Sequence, residues 1–190
     1  MDKPSSLRVG VDVPWVTSWS AEAVTGAARC ASVGGRPALI QDSRPGFGKP
    51  QYSRNHLVRQ RLSVARMLCP MCGEPTPVDD RWTTTAKTHA AGWLRAQRAV
   101  VLPSSVADDQ IVFDAGAIAP LHRACAKRSM ALCPHLRSDP DLHLARFPAR
   151  YLLLPLMAEP EGAGGGPSVI GFLQLCGVTP TIDRRWRTAA

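Results

Sequence analysis

Four residues of this chain have the types and the spacing of metal ligands. Cys69 and Cys72 lie in the segment Leu-Cys-Pro-Met-Cys-Gly, and His122 and Cys125 lie in the segment Leu-His-Arg-Ala-Cys. Thiolate sulfur and imidazole nitrogen are common ligands of Zn²⁺, and a closed structural site holds four ligands in a tetrahedron. The two pairs therefore predict one structural zinc ion bound by Cys69, Cys72, His122 and Cys125.

The sequence around each pair explains how its two ligands can reach the same ion. Pro70 stiffens the turn after the first thiolate, and Gly73 can adopt the positive φ that turns backbone N–H groups toward the sulfurs. His122 and Cys125 are predicted to lie in the first turn of a helix, where residues three apart share one face. Because all four ligands come from protein, no position remains for a catalytic water, and the predicted zinc is structural.

The other cysteines are not assigned to this ion. Cys133 lies eight residues after Cys125, which is about 12 Å along a continuous helix, so it is predicted to mark the end of that helix. Cys30 and Cys176 lie in strand-like segments, where a free cysteine behaves as a small hydrophobic residue. A Cys-x-x-Cys pair can also be a redox motif, but a redox pair usually opens a helix, whereas Cys69 follows one.

The composition predicts a soluble globular protein of one domain. The chain has 190 residues, of which 45% are hydrophobic and 20% are charged, and these values are ordinary for such proteins. We find no apolar leader and no apolar run near the ~20 residues that a membrane helix needs. The expected location is the cytoplasm, where thiols stay reduced. No phosphate loop or dinucleotide fingerprint indicates a small-molecule substrate.

Positive charge is concentrated in one segment of the chain. The net charge is +8, and residues 29–66 contain eight basic residues and a single acid, Asp42. The arginine guanidinium group suits phosphate because its planar fork makes bidentate contacts. We therefore predict that this segment contacts nucleic acid; the alternative is a solvated face that only aids solubility. The residues proposed for the contact are Arg44, Lys49, Arg54, Arg59, Arg61 and Arg66.

The predicted fold class is α+β, with β-hairpins and two main helices around the zinc centre. We interpret residues 1–190 as a single domain with four parts. These parts are a β-rich region at 1–52, a zinc-binding core at 53–137, a C-terminal β-hairpin at 138–177 and a tail at 178–190.

Local patterns predict the elements within those parts. Alternation indicates a strand at Leu7–Val13, and the Gly34-Gly35 pair is typical of a hairpin turn. Ser53 is a plausible N-cap for the first helix, and the second helix is expected to run to about Leu136. The C-terminal hairpin is predicted to consist of strands at 151–158 and 168–176.

The order of these features resembles a treble-clef zinc finger, in which a knuckle and a β-hairpin precede a helix that provides the second ligand pair. The resemblance covers about Leu68 to Leu136 and matches at Cys69, Cys72, His122 and Cys125. The long insertion between the pairs departs from the compact pattern. The surrounding sequence also loosely resembles uncharacterised bacterial and prophage zinc-binding proteins, and this similarity implies no activity.

Three functions are compatible with these features. The first is a non-enzymatic module that binds DNA or RNA through residues 29–66. The second is a protein-interaction or accessory factor of the phage or mobile-element type. The third is a metal-dependent nuclease of the His-Asn-His type, because a treble clef underlies some of these nucleases. His89 is the only candidate catalytic base in the insertion, and no suitable Asp, Asn or second His accompanies it, so an enzyme is disfavoured.

Overall fold

The computed structural model describes residues 3–31, 34–98, 102–139, 142–158 and 168–176. Helices and strands are mixed along the chain, which confirms the predicted α+β class. The chain divides into two compact units: a first unit of residues Met1–Pro75 and Pro155–Phe172, and a second unit of residues Thr76–Leu154 and Leu173–Ala190. The single-domain organisation stays a prediction, and the predicted tail at 178–190 lies outside the described residues.

The first unit contains two antiparallel strand pairs. Its strands are β1 (Thr17–Trp19), β2 (Val24–Cys30), β3 (Arg36–Gln41) and β4 (Pro50–Asn55). β1 pairs with β4, and β2 pairs with β3 in a hairpin that begins at Cys30 and Arg36. Gly34 and Gly35 have φ values of 68° and 75° in the turn. The predicted hairpin around this glycine pair is therefore confirmed.

The segment Leu7–Val13 forms a turn, so the prediction of a strand there was wrong. The backbone N–H groups of Val11, Asp12 and Val13 all donate to the Arg8 carbonyl. The Asp12 carboxylate in turn accepts from the Arg8 backbone N–H at 2.8 Å. Gly10 has a φ of 80°. A short acidic side chain that bonds nearby backbone competes with strand pairing, and the period-two pattern does not reveal this competition.

Helix α1 (Leu57–Arg66) is capped by His56, so the prediction of Ser53 as N-cap was wrong. Ser53 belongs to β4. His56 Nδ1 accepts from the Arg59 backbone N–H at 3.2 Å. Its Nε2 lies 2.9 Å from the Asp42 carbonyl oxygen, which can only accept, so Nε2 carries a proton and donates to it. The cap therefore requires the neutral imidazole with its proton on Nε2.

Helix α1 buries charged residues, and one carboxylate compensates for this. Arg59 donates to both oxygens of Glu22, at 2.7 and 2.8 Å, and also to the Thr17 carbonyl oxygen at 2.8 Å. Glu22 accepts further bonds from the backbone N–H groups of Trp19 and Arg44. A buried ion pair is tolerated only when its remaining hydrogen-bonding capacity is satisfied. Both Glu22 oxygens and both terminal nitrogens of Arg59 meet that condition, whereas Arg59 Nε has no hydrogen-bond partner among the described residues. The pair anchors α1 to strand β1 through the Thr17 carbonyl oxygen.

Burial and neighbouring charges shift the pKa values of three groups in this region, namely Glu22, His56 and Arg61. Burial acts to raise the pKa of Glu22, but hydrogen bonds from Arg59 and the Trp19 backbone, with the Arg59 charge, outweigh it and lower the pKa. Burial lowers the pKa of His56, although the bond to the Asp42 carbonyl opposes this. Burial also lowers the pKa of Arg61. The folded state therefore favours ionised Glu22 and neutral His56.

The second unit is built from short strands and helices. The strands are β5 (Trp82–Thr83), β6 (Lys87–Ala90), β7 (Ile111–Gly116) and β8 (Ala145–Arg146). The helices are α2 (Ala91–Arg98), α3 (Arg123–Leu132) and α4 (Pro134–Arg137). β5 pairs with β8, and β6 pairs with β7. Phe113 and Phe147 pack edge to face in the core, with ring centroids 6.2 Å apart.

The second main helix ends earlier than predicted. Instead of continuing to Leu136, α3 ends at Leu132, and Cys133 follows in an extended conformation with ψ 115°. Pro134 then opens the short helix α4. A residue before proline is disfavoured in the helical region. The break therefore lies at Cys133, as its position before Pro134 predicted.

The two strands predicted near the C-terminus are present and pair with each other. Strand β9 (Tyr151–Ala158) pairs with strand β10 (Ser168–Cys176). In the first unit, Val169 of β10 pairs in parallel with Ala38 of β3. In the second unit, the end of β10 pairs antiparallel with β7. Among the described helices, none combines the length and the apolar character needed to cross a bilayer.

Replacing Glu22 with Gln should strongly destabilise the protein. The substitution leaves the Arg59 charge buried without its anion, and removal of one partner from a buried ion pair typically costs about 3–5 kcal/mol. The free energy of unfolding, measured in urea with saturating zinc, tests this expectation. Asp12→Asn is the matched control because the Arg8–Asp12 pair is exposed, and its effect should be much smaller. Equal effects of the two substitutions would contradict a structural role for the buried pair.

The neutral state of His56 should make the stability depend on pH. Because its folded pKa lies below the unfolded value of about 6.5, its contribution is complete above that pH and is lost as the pH falls toward the folded pKa. Glu22, 3.8 Å from Nε2, favours the charged ring, whereas Arg59 and Arg61 oppose it. His56→Asn keeps a capping side chain that does not titrate.

The test is the free energy of unfolding measured from about pH 7.5 to about pH 5.5, on both sides of the ordinary histidine pKa. The wild-type protein should lose more stability over this range than His56→Asn does. Loss of zinc in acid affects both proteins, so the difference between them reports on His56. Identical slopes would show that His56 does not titrate in this window.

Candidate metal centre

The first ligand pair lies in a tight knuckle after helix α1. The Cys69 backbone N–H donates to the Glu74 carbonyl oxygen, and the Gly73 N–H donates to the Cys69 carbonyl oxygen, both at 2.8 Å. Gly73 has a φ of 85°. A Cβ atom added to Gly73 would lie 2.9 Å from Cγ of Trp15. Glycine is therefore required here both for the backbone conformation and for the space that the indole occupies.

The N-terminal segment supports the knuckle through backbone contacts. The N–H groups of Trp15 and Val16 donate to the carbonyl oxygens of Met71 and Pro70, at 2.9 and 3.0 Å. A Cβ atom on Gly10 would lie 3.2 Å from the Cys72 carbonyl oxygen, so this position also brings the two backbones close together. These contacts support the loop that carries both cysteines. The sequence pattern gave no indication of them.

The second ligand pair lies at the start of α3, as predicted. His122 is the N-cap residue and has an extended conformation, with φ −61° and ψ 149°; its side chain makes no capping hydrogen bond. Cys125 is the third residue of the helix, so it lies near the positive end of the helix dipole. That end stabilises a thiolate over a thiol. The start of α3 therefore provides one imidazole and one sulfur ligand.

Asp80 takes over the capping of α3 that His122 does not perform. Its Oδ1 accepts from the Arg123 backbone N–H at 2.9 Å and from Trp82 Nε1 at 3.0 Å. Trp82 and Leu121 exchange backbone hydrogen bonds of 2.8 and 2.9 Å. No local pattern identifies Asp80 as this cap, because it lies 43 residues before the helix start along the chain. These contacts fix the backbone on both sides of His122 and therefore the point at which its side chain is attached.

Two arginines flank the same tryptophan. The guanidinium carbons of Arg123 and Arg146 lie 5.0 and 5.1 Å from the ring centroid of Trp82. Such distances permit cation–π attraction. Trp82 itself is buried, with 6% of its surface exposed. The two exposed arginines therefore also shield the indole next to the start of α3.

The structure brings all four predicted ligands together. The candidate donor atoms of Cys69, Cys72, His122 and Cys125 all lie within 4.8 Å of one another, with Cys69 buried and the others half-buried. Ligands of a tetrahedral zinc ion lie about 3.5–3.8 Å apart, given Zn–S and Zn–N distances of about 2.3 and 2.1 Å. Small side-chain movements would close that difference. The donor set and its convergence therefore fit one structural zinc ion.

The remaining cysteines and histidines lie elsewhere. Cys133 caps the C-terminus of α3 and is not a member of the four-residue cluster. Cys30 lies at the end of β2 and interacts with Arg61. The side chain of Cys176 lies outside the described part of the chain. His89, on β6, stacks on Trp93 with ring centroids 4.3 Å apart. Among the cysteines with described side chains, none forms a disulfide.

The basic residues proposed for nucleic-acid contact fall into two groups. Arg59 and Arg61 are buried, with 5% and 2% of their surface exposed. Arg59 binds Glu22, and Arg61 donates to the Leu39 carbonyl oxygen at 2.6 Å. The exposed group consists of Arg44, Lys49, Arg54 and Arg66. Of the six proposed residues, only the four in this second group are accessible to a phosphate of a bound nucleic acid.

Comparison with known proteins gives no relative from which a function could be transferred. No protein-family model matches the chain, and no curated protein or solved structure matches it. The assignment of the metal centre therefore rests on the chemistry and the convergence of its four side chains.

Replacing a ligand should remove the zinc and unfold much of the protein. Cys125→Ser leaves a hydroxyl that is a poor zinc ligand, and structural zinc contributes about 10–16 kcal/mol of apparent binding energy in small zinc-finger peptides. Zinc content by mass spectrometry should fall from one ion per wild-type chain to substantially less than one, and thermal unfolding should occur at a much lower temperature. Cys133→Ser is the control and should keep both. Full zinc content and stability in Cys125→Ser would refute the assignment.

Proposed function

We propose that the protein is a non-enzymatic nucleic-acid-binding module whose fold is stabilised by one zinc ion in a treble-clef-like centre. The observation that carries this proposal is the set of exposed cations within residues 29–66. The zinc has a structural role because its four ligands all come from the chain. Thiolate ligands remain available in a reducing environment, so the proposed location is the cytoplasm.

The order of elements supports the comparison with a treble clef. The knuckle at Cys69–Gly73 comes first, the antiparallel pair β6 and β7 follows, and α3 then provides His122 and Cys125. The departure from a compact treble clef is explained by α2 and the loop after it, which lie between β6 and β7. The insertion thus extends the hairpin without changing the order of the ligand-bearing elements.

The charge distribution supports a nucleic-acid partner. Within residues 29–66 the exposed charged residues are six cations and one acid, Asp42. Glu22, another acid of the first unit, is buried and paired with Arg59, so it does not offset the surface charge. The exposed cations are Arg29, Arg36, Arg44, Lys49, Arg54 and Arg66. A surface with this imbalance attracts polyanions, and its affinity depends on the release of their counterions.

A protein partner is the second candidate, and strand β2 is the observation that favours it. Six consecutive residues of β2, Val24 to Arg29, are exposed, and 55% of the Val24 surface is accessible. An exposed strand can pair with a strand of another protein. This function would make the protein an accessory factor, and the same binding test distinguishes it because it predicts no salt-dependent affinity for nucleic acid.

The proposal predicts salt-dependent binding that is lost when the exposed cations are neutralised. A variant with Arg44, Lys49, Arg54 and Arg66 all changed to Gln should bind DNA much more weakly than the wild-type protein. If all four contact phosphates, the slope of log K against log salt concentration should decrease by up to about 3–4. Fluorescence anisotropy at several salt concentrations provides this measurement.

The matched control changes four exposed cations of the second unit to Gln, namely Lys87, Lys127, Arg137 and Arg150. Both variants lose the same amount of charge, so a purely non-specific attraction would weaken equally in the two. The proposal requires a larger effect from the first variant. Wild-type binding that is absent, or that does not weaken with added salt, would overturn the nucleic-acid function and favour the protein-interaction alternative.

A further inference from the structure

Strand β4 contains a bulge, in which three of its residues have no partner on β1. Thr17 pairs with Asn55, but the next residue, Ser18, pairs with Gln51. One step along β1 therefore corresponds to four steps along β4, and Tyr52, Ser53 and Arg54 have no partner residue in this register. Bulges commonly re-aim side chains and occur often at functional sites.

The side chains on this bulge are exposed, and one of them is aromatic. Tyr52, Ser53 and Arg54 are all exposed, and 64% of the Tyr52 surface is accessible. Exposing a large ring to water forgoes the stabilisation that its burial would give. Tyr52 and Arg54 are two residues apart along this exposed stretch. The bulge therefore exposes an aromatic ring and a guanidinium group within three consecutive residues.

The surroundings of the bulge are basic. Lys49 is exposed, and its backbone is fixed by two hydrogen bonds of 2.9 Å: its carbonyl oxygen accepts from the Ser20 N–H, and its own N–H donates to the Ser20 hydroxyl oxygen. Arg44 is exposed, and its guanidinium carbon lies 5.1 Å from the Phe47 ring centroid. The N-terminal segment adds Lys3, whose carbonyl oxygen accepts from Gly48. From residue 43 to residue 55 the sequence contains no acid.

We propose that this surface, formed by Tyr52, Arg54, Lys49 and Arg44, binds single-stranded nucleic acid and that Tyr52 stacks on an unpaired base. The inference rests on the proposed nucleic-acid function and specifies its ligand. An aromatic ring beside positive charges is the combination by which proteins hold single strands, because every base has a face that can stack and every phosphate is negative.

The aromatic ring is what distinguishes a single strand from a duplex as the ligand. In a duplex the faces of the bases are already stacked on one another, so a projecting tyrosine gains little there unless a base is flipped out. Cations alone would bind both forms through phosphate. A second exposed aromatic, Trp93, already stacks on His89 and lies in the second unit, where the Asp108 side chain is 77% exposed. Trp93 therefore lacks the uniformly basic surroundings and serves as a control.

The experiment compares three variants, Tyr52→Ala, Tyr52→Phe and Trp93→Ala, by fluorescence anisotropy. The probes are a labelled oligothymidylate of about 20 nucleotides, longer than the about 4–16 nucleotides that a single-strand module covers, the corresponding oligouridylate, and a mixed-sequence DNA duplex of equal length. Tyr52→Ala should weaken binding of a single strand by about fivefold to a hundredfold. Tyr52→Phe, which keeps the ring, and Trp93→Ala should stay close to the wild-type protein. Zinc content and circular dichroism confirm that each variant is folded.

The outcomes separate this inference from the proposed function. Preferential single-strand binding that depends on the Tyr52 ring supports the inference, and the two single-stranded probes show whether DNA or RNA is favoured. Salt-dependent binding of duplex and single strand alike, unchanged in Tyr52→Ala, overturns the inference but leaves the proposed function in place. Absence of binding to all three probes overturns both.

Discussion

The convergence of four ligand atoms on one point is the constraint that most of the local structure serves. A tetrahedral site tolerates errors of only a few tenths of an ångström in metal–ligand distance, so each ligand must start from a fixed backbone. The knuckle achieves this with Gly73 and with hydrogen bonds from Trp15 and Val16. The helix start achieves it with Asp80, which binds the Arg123 backbone and the Trp82 indole. The contacts around the ligands are thus as necessary to the site as the ligands themselves.

A second constraint operates in the first unit, where α1 buries charged and polar residues beside the apolar Val64. The buried face of this helix includes Arg59, Gln60, Arg61 and Ser63. Two buried guanidinium groups would be prohibitively costly in an apolar core, and Glu22 together with backbone carbonyl oxygens removes most of that cost. Such pairs contribute little net stability compared with apolar packing, but they penalise any arrangement in which one partner is lost. The position of α1, and hence of the knuckle that follows it, is specified in this way.

These two constraints explain which parts of the structure could be predicted from the sequence. Cys69, Cys72, His122 and Cys125 were identifiable because metal chemistry restricts both residue type and spacing, independently of the rest of the fold. The hairpin at Gly34-Gly35 and the break at Cys133-Pro134 were identifiable because glycine and proline restrict the backbone locally. In contrast, the cap formed by His56 and the turn formed by Asp12 depend on side-chain hydrogen bonds that compete with simple periodicity. The burial of Arg59 depends on Glu22, 37 residues away, and no local pattern contains that information.

The same distinction changes how the basic segment is interpreted. The sequence of residues 29–66 contains eight basic residues that look equivalent. In the structure, two of them are buried and six are exposed. Arg59 and Arg61 are committed to internal partners, whereas Arg44, Lys49 and Arg54 are exposed, as is the Tyr52 ring on the β4 bulge. The buried charges maintain the helix that leads to the metal centre, and the exposed charges remain available to an anionic partner. A run of basic residues can therefore have a structural part and a binding part, and only the geometry of each side chain assigns them.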